Sequence, residues 1–111
     1  MQDFTQMNEY LSNLAVWNVK LHNLHWNVVG RQFMPVHEFT EKLYDDVFEK
    51  YDDVAEIIKM KGEKPLVKMV DYLAKASIDE LDQDCFTADE VLQIVQADLQ
   101  KMKDLATEIR N

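Results

Sequence analysis

Two histidines and three carboxylates between residues 25 and 56 are the side chains of this sequence best suited to chemistry. Imidazole and carboxylate groups in combination suit iron, zinc or manganese rather than calcium or copper(I). The sequence therefore predicts a transition-metal site whose candidate ligands are His25, His37, Glu41, Asp52 and Glu56.

A break in the helical pattern determines where the two histidines lie. Gly30 suits the left-handed residue that often closes a helix, and Pro35 suits the first residue of the next one. We therefore predict that one helix ends near Val29 and that another starts near Pro35. His25 and His37 would then face each other across a helical hairpin.

The remaining candidates lie on the second helix in two pairs. His37 and Glu41, the mixed pair, are four residues apart, and so are Asp52 and Glu56, the acidic pair, so each pair shares a face. The pairs fall on one stripe but are separated by roughly 16 Å along the helix. One metal ion cannot reach both. Either each pair is a half-site completed by water, or a second chain completes a shared site.

A second chain would complete the site if this helix packed antiparallel against its own copy. With a two-fold axis near Asp46 and Val47, the mixed pair of each chain would meet the acidic pair of the other, forming two identical sites. Isologous contacts of this kind are the commonest in homo-oligomers.

Composition narrows the class of protein. The 111 residues form a single domain, 1–111, and 12 Lys and Arg against 21 Asp and Glu give a net charge of −9. No basic arm or stripe is present, so DNA binding is not expected. The lone cysteine, Cys85, fits a reducing compartment. Without a leader pattern or an apolar run of membrane length, we expect a cytoplasmic protein and no membrane partner.

The apolar spacing predicts an all-α bundle with three long helices, at residues 3–29, 35–61 and 88 to the end, and a short helix within 66–76. Thr87 and Glu90 have the form of a capping box at the start of the last helix. Four methionines are predicted core fillers: Met7, Met60, Met69 and Met102. Three long helices leave one apolar face unpaired, so a fourth helix has been lost or another chain covers it.

The crossover of about two dozen residues would let the third long helix run parallel to the second, as in ferritin-like bundles. A resemblance supports this interpretation. The run from Leu24 to Gly30 resembles that of the Dps-like mini-ferritins, the DNA-protection proteins of starved bacterial cells. The match in spacing continues through Phe33, His37, Glu41, Asp52, Ala55 and Glu56, and includes the short crossover helix.

The resemblance implies an intersubunit ferroxidase centre. His25, His37 and Glu41 would come from one chain, and Asp52 and Glu56 from its two-fold mate. The implied reaction is oxidation of Fe(II) by hydrogen peroxide, in preference to oxygen, with storage of the Fe(III) product as mineral inside a dodecameric shell. Zinc or manganese would be substitutes for iron. The implied role is protection against oxidative stress.

The sequence departs from the family pattern at three points. Glu41 stands where the family usually has Asp, and Ile57 where Arg commonly follows the glutamate. The family's fourth long helix is missing, so we expect a domain truncated at its C-terminus, and the resemblance favours a dodecameric shell less than it favours the metal site. The alternative to a ferroxidase is a non-enzymatic helical assembly module, with a structural metal or none.

Overall fold

The computed structural model describes residues 4–110, and all the regular secondary structure in this part of the chain is helical, with no strand. Its helices are α1 (Phe4–Asn27), α2 (Phe33–Met60), α3 (Met69–Lys75) and α4 (Ala88–Arg110). The predicted all-α fold, with three long helices and a short one in the crossover, is confirmed. The predicted extension of the first helix to residue 3 and of the last to Asn111 lies outside the described residues.

The break between α1 and α2 falls where it was predicted, with shifted bounds. Gly30 has a φ of +104°, the left-handed conformation that glycine adopts without strain. α1 ends at Asn27 rather than near Val29, because the next residue, Val28, forms a bridge with Phe86. α2 starts at Phe33, two residues before Pro35. Proline is tolerated there because the first four N–H groups of a helix have no partner within it.

α1 is the central element of the fold. It contacts each of the other three helices, whereas α2 and α4 barely contact each other. Its buried residues occupy most of its circumference, and they include Leu11, Leu14, Trp17, Leu21 and Leu24. The wide apolar face explains this position, since a helix that is apolar on several sides must be covered on several sides.

The crossover from α2 to α4 runs along the whole of α1 and is held to it by hydrogen bonds near the start, the middle and the end of that helix. Asn8 Oδ1 accepts the Leu66 N–H at 3.1 Å. Further along, Asn13 Oδ1 accepts the N–H groups of Ser77 and Ile78 at 2.7 and 3.1 Å. At the end of α1, Phe86 exchanges backbone hydrogen bonds with the chain around Val28. α4 therefore starts where α1 ends.

The last helix begins as predicted and then runs back along α1. The Thr87 hydroxyl accepts the Glu90 N–H at 3.2 Å, and the Glu90 carboxylate accepts the Thr87 N–H at 3.0 Å, which is the capping box. Near the other end of the helix, Gln6 donates to Glu108 at 3.1 Å. α4 is thus antiparallel to α1 and parallel to α2, as predicted.

The open side of the bundle is an apolar groove between α2 and α4, with α1 as its floor. Tyr10, Leu14 and Trp17 of α1 line it with Leu43 and Val54 of α2 and with Leu99, Met102 and Ala106 of α4. This groove is the unpaired apolar face that three long helices were predicted to leave.

Some core predictions were wrong. Met7 and Met102 are buried as expected, but Met60 is 78% exposed and Met69 is 58% exposed. Met60 is the last residue of α2, and Met69 lies on the outer side of the short α3. Leu99, which continues the apolar stripe of α4, is 45% exposed because it faces the open groove. None of the helices within residues 4–110 is long and apolar enough to cross a membrane.

Replacing Asp98 by alanine should lower the free energy of unfolding by about 3 kcal/mol. The Lys20 ammonium of α1 lies 2.8 Å from the Asp98 carboxylate of α4, and both side chains are almost fully buried. Removing one charge leaves the other buried without a partner. Urea unfolding measures the change, and Gln96→Ala, at an exposed position of the same helix, is the control.

The double variant Lys20→Met with Asp98→Leu tests the cause. It removes both charges and should lose less stability than Asp98→Ala alone. An equal or greater loss in the double variant would show that the pair itself, rather than a stranded charge, is what the single substitution disrupts.

Candidate metal centre

His25 and His37 meet across the hairpin and hold each other in place. His25 Nδ1 donates to the His37 carbonyl oxygen at 2.6 Å, and His37 Nδ1 donates to the His25 carbonyl oxygen at 2.8 Å. The two rings are stacked, with centroids 3.5 Å apart. The loop around Gly30 is what allows the last turn of α1 and the first turns of α2 to come this close.

These hydrogen bonds assign the tautomer of both rings. A carbonyl oxygen can only accept, so the proton must be on Nδ1 in each histidine. Nε2 of each neutral ring then carries a lone pair, and it makes no hydrogen bond to any of residues 4–110. Histidines that bind metal almost always donate their other ring N–H in this way. Both side chains are therefore prepared as Nε2 ligands.

The first histidine is the more enclosed of the two. The His25 side chain is 4% exposed, whereas His37 is half-buried. Burial lowers the pKa of His25, since desolvation disfavours the charged imidazolium. Its Nε2 makes no hydrogen bond within residues 4–110, so the lone pair of that atom is unused. A buried ring with an unused lone pair is well suited to bind a cation.

Glu41, Tyr44 and His22 lie around the two histidines. Burial lowers the pKa of His25, and the negative charge of Glu41 opposes this with a smaller effect that raises it. Desolvation raises the pKa of Tyr44, and the charge of Glu41 adds to that increase. Tyr44 stacks on His22 with centroids 3.8 Å apart and meets the His25 ring edge-on. His22 donates from Nδ1 to the Asn18 carbonyl at 2.7 Å. It lies beside the candidate ligands, stacked on Tyr44.

The acidic pair lies further along α2. Asp52 and Glu56 are hydrogen-bonded to each other, and this bond, followed by the charge of Asp52, raises the pKa of Glu56. Two carboxyl groups this close repel each other when both are ionised, and a cation bound between them would relieve that repulsion. Both residues are exposed, and so is the neighbouring Phe48, whose side chain is 61% exposed.

Within one chain the ligand candidates do not form a single site. Among residues 4–110, no three His, Cys, Asp or Glu side chains are grouped so that they could hold a metal ion together. α2 is one continuous helix from Phe33 to Met60, so the mixed pair and the acidic pair remain roughly 16 Å apart. A complete ligand set would require the side chains of two chains or additional water.

The stripe between the two pairs has the character of a contact surface. Phe48, near its middle, is 61% exposed, and Trp26, which follows His25, is 66% exposed. Trp26 therefore does not belong to the core of this chain. Large aromatic side chains rimmed by polar residues are typical of protein interfaces. Val47 is buried in the chain's own core and cannot contact a second chain. A two-fold axis at the level of Val47 would therefore pass through the exposed face of α2 that carries Phe48.

One residue of this region escaped the analysis of the sequence. Thr40 is fully buried between the two histidine-bearing helices, and its hydroxyl oxygen lies 3.1 Å from His25 Nδ1. A lone threonine in the first turns of a helix gives no periodic signal. A buried hydroxyl three residues after His37, on the side that faces α1, is a feature that only the hairpin geometry reveals.

Comparison with known proteins places this arrangement in context. The ferritin-like domain model matches residues 4–111. The antigen TpF1 of Treponema pallidum is 34% identical over 95 residues, which cover 86% of this chain. They cover only 54% of TpF1, so the chain spans about half the length of that relative. The DNA protection during starvation protein of Helicobacter pylori is 28% identical over 111 residues, covering all of this chain and 77% of its own.

Solved structures give the same result. The crystal structure of Helicobacter cinaedi CAIP superposes with a TM-score of 0.92 and 36% identity, covering 94% of this chain and 73% of its own. Dps from Listeria monocytogenes superposes with a TM-score of 0.92 and 27% identity, covering 98% of this chain and 71% of its own. The helical hairpin and the crossover described above are thus shared with these proteins.

The lowered pKa of His25 predicts a pH dependence of folding stability. The unfolded chain takes up a proton at the ordinary histidine pKa of about 6.5, whereas the folded state keeps the ring neutral to lower pH. Stability should therefore be full above that pH and fall as the pH drops through it towards the lower folded pKa. Urea unfolding between about pH 5.5 and 7.5 measures this slope.

The variant His25→Gln isolates the contribution of the ring. It removes the titrating ring, so the free energy of unfolding should depend less on pH in this range. The raised pKa of Glu56 is present in both proteins and cancels in the comparison. An unchanged slope in the variant would contradict the assignment.

Proposed function

We propose, given that this chain belongs to the ferritin-like family and that its relatives include Dps proteins, that it binds Fe(II) and oxidises it at a site shared between two chains. The ligands would be His25, His37 and Glu41 of one chain with Asp52 and Glu56 of the other. One observation carries the proposal. Both histidines give their Nδ1 protons to backbone carbonyls and so offer Nε2 to a metal.

The donor set suits iron as a substrate. Neutral imidazoles bind Fe(II) without adding charge, while carboxylates stabilise the more highly charged Fe(III) product. Electrons from Fe(II) would reduce hydrogen peroxide, or oxygen, to water. The exposed acidic residues of α2 and of the crossover would attract the cation from solution, an effect that salt weakens.

The charge of the chain shapes the proposed protective role. With a net charge of −9, the protein would be repelled by DNA rather than bound to it. We therefore propose that it protects by removing ferrous iron and peroxide, the reactants that damage macromolecules. Storage of the product would depend on assembly beyond the two-fold pair, for which the shell of the family is the precedent.

The two-fold pairing is supported by the stripe on α2. The mixed pair and the acidic pair are at its two ends, with Phe48 exposed between them. Antiparallel packing of two such stripes would bury both copies of Phe48 and place each mixed pair beside an acidic pair. The contact that buries the aromatic rings and the contact that completes the ligand set would be the same.

Anaerobic titration with Fe(II), followed by tryptophan fluorescence and heat, tests the proposed ligands. We expect saturable binding of roughly one or two ions per chain and an affinity at least about tenfold weaker in Asp52→Ala. Asp53→Ala, at the adjacent exposed position off the stripe, is the matched control and should bind normally. If a protein shown to be dimeric by sedimentation does not bind Fe(II), the proposal is wrong.

Mixing two defective variants tests whether the site is shared. His37→Ala and Asp52→Ala are each expected to lose binding alone, but a mixed dimer would contain one intact site and one with both substitutions. After exchange of chains in an equal mixture, about a quarter of the sites should bind Fe(II). No recovery, with chain exchange verified by mass spectrometry, would instead favour half-sites completed by water.

The second candidate function is a helical assembly module without redox chemistry. The exposure of Trp26 and Phe48 favours it as much as it favours the shared site, because both functions require a second chain. The Asp52→Ala variant distinguishes them. If the variant loses metal binding and remains dimeric, the carboxylate serves the metal, whereas an unchanged response to Fe(II) would leave assembly as the function.

A further inference from the structure

Thr40 lies between the two histidine-bearing helices with no exposed surface. Three polar atoms lie within hydrogen-bonding distance of its hydroxyl oxygen. They are the carbonyl oxygens of Val36 and His37, at 2.9 and 3.0 Å, and Nδ1 of His25, at 3.1 Å. A hydroxyl that is removed from water must satisfy itself with such neighbours.

The number of protons decides how these contacts are used. The hydroxyl has one hydrogen and accepts through its lone pairs. Since carbonyl oxygens only accept, the Thr40 hydrogen goes to one of the two carbonyls, in the manner common for threonine in helices. A lone pair of the same oxygen is then available to the His25 Nδ1–H. That N–H is held by two acceptors, the His37 carbonyl at 2.6 Å and Thr40 Oγ1 at 3.1 Å.

His37 has a simpler environment. Its Nδ1 donates to the His25 carbonyl, and the structure gives it no side-chain acceptor within residues 4–110. The two rings of the hairpin are therefore positioned differently. His25 is the buried ring, and its Nδ1–H is shared with a side chain rather than held by backbone alone.

We propose that Thr40 is a positioning residue for His25: its hydroxyl restrains the imidazole in the Nδ1-protonated form, so that the Nε2 lone pair is directed towards the incoming metal. The inference rests on the proposed function for its purpose. Its physical content, the tautomer and the orientation of one ring, can be measured without metal. Outer-sphere hydrogen bonds of this kind typically change metal affinity by about 10- to 100-fold.

The test uses three full-length variants and two measurements. Thr40→Val keeps the shape of the side chain and removes the hydroxyl, and Thr40→Ser keeps the hydroxyl and removes the methyl group. Thr107→Val is the matched control, because Thr107 makes the same bond to a carbonyl four residues earlier, Lys103, in exposed surroundings of α4. The measurements are imidazole ¹⁵N spectra of the metal-free protein and the affinity for Zn(II), which undergoes no redox reaction.

In the native protein, His25 should show a protonated Nδ1 and an unprotonated Nε2. In Thr40→Val, the His25 Nδ1–H keeps the His37 carbonyl and loses its second acceptor. The signals of His25 should therefore shift and broaden as the ring becomes freer to reorient, while those of His37 remain, and Zn(II) affinity should fall by about tenfold. Thr40→Ser should restore both properties, and Thr107→Val should change neither.

Two results would overturn the proposal. The first is a Thr40→Val variant with an unchanged His25 spectrum and a Zn(II) affinity within about twofold of the native value, a change smaller than an outer-sphere contact should cause. The Thr40 hydroxyl would then matter only for its hydrogen bonds within α2. If Thr40→Ser fails to restore the native values, the methyl group rather than the hydroxyl is responsible. If the native protein binds no metal but Thr40→Val still changes the His25 spectrum as expected, the proposed function is refuted and the role of Thr40 stands.

Discussion

The reciprocal hydrogen bonds between His25 and His37 join the requirements of folding to those of chemistry. They join the last turn of α1 to the first turns of α2, beside the loop at Gly30. Each bond satisfies a ring nitrogen that is fully or partly removed from water, and leaving that nitrogen unpaired would cost free energy. The same bonds leave the other nitrogen of each ring unused. The bonds that hold the hairpin together thus also leave two unprotonated ring nitrogens, one on α1 and one on α2, that could bind a metal.

The three candidate carboxylate ligands, unlike the histidines, are not held in place by hydrogen bonds between α1 and α2. Glu41, Asp52 and Glu56 are exposed, and none is fixed by a basic partner in the described part of the chain. The hydrogen bond between Asp52 and Glu56 instead shows two acidic groups held close together at some electrostatic cost, with the pKa of Glu56 raised in consequence. Charge is compensated inside the bundle, where Lys20 meets Asp98, and left uncompensated on the stripe of α2. The stripe therefore carries an uncompensated negative charge, which favours cations over anions at this surface.

Features set by neighbouring residues were predictable from sequence, and features set by distant contacts were not. The left-handed Gly30, the capping box at Thr87 and the apolar stripes follow from local geometry and were confirmed. The early end of α1 was missed because it depends on a bridge to Phe86, far along the chain. Thr40 was missed for a related reason, since its role appears only when α1 is laid against α2. The exposure of Met60 depends on where its helix ends.

The attachments of the crossover to α1 alter the conformational entropy of the chain. A free connection of this length would have to close one long loop, whereas contacts through Asn8, Asn13 and Phe86 divide it into short segments that close in succession. The acidic stretch between Ile78 and Phe86 is itself held to α1 by Asn23 Nδ2, which donates to the Gln83 carbonyl oxygen at 3.1 Å. A protease that cut there would sever the chain yet leave both new ends tethered, so the cleaved molecule would keep its four helices together.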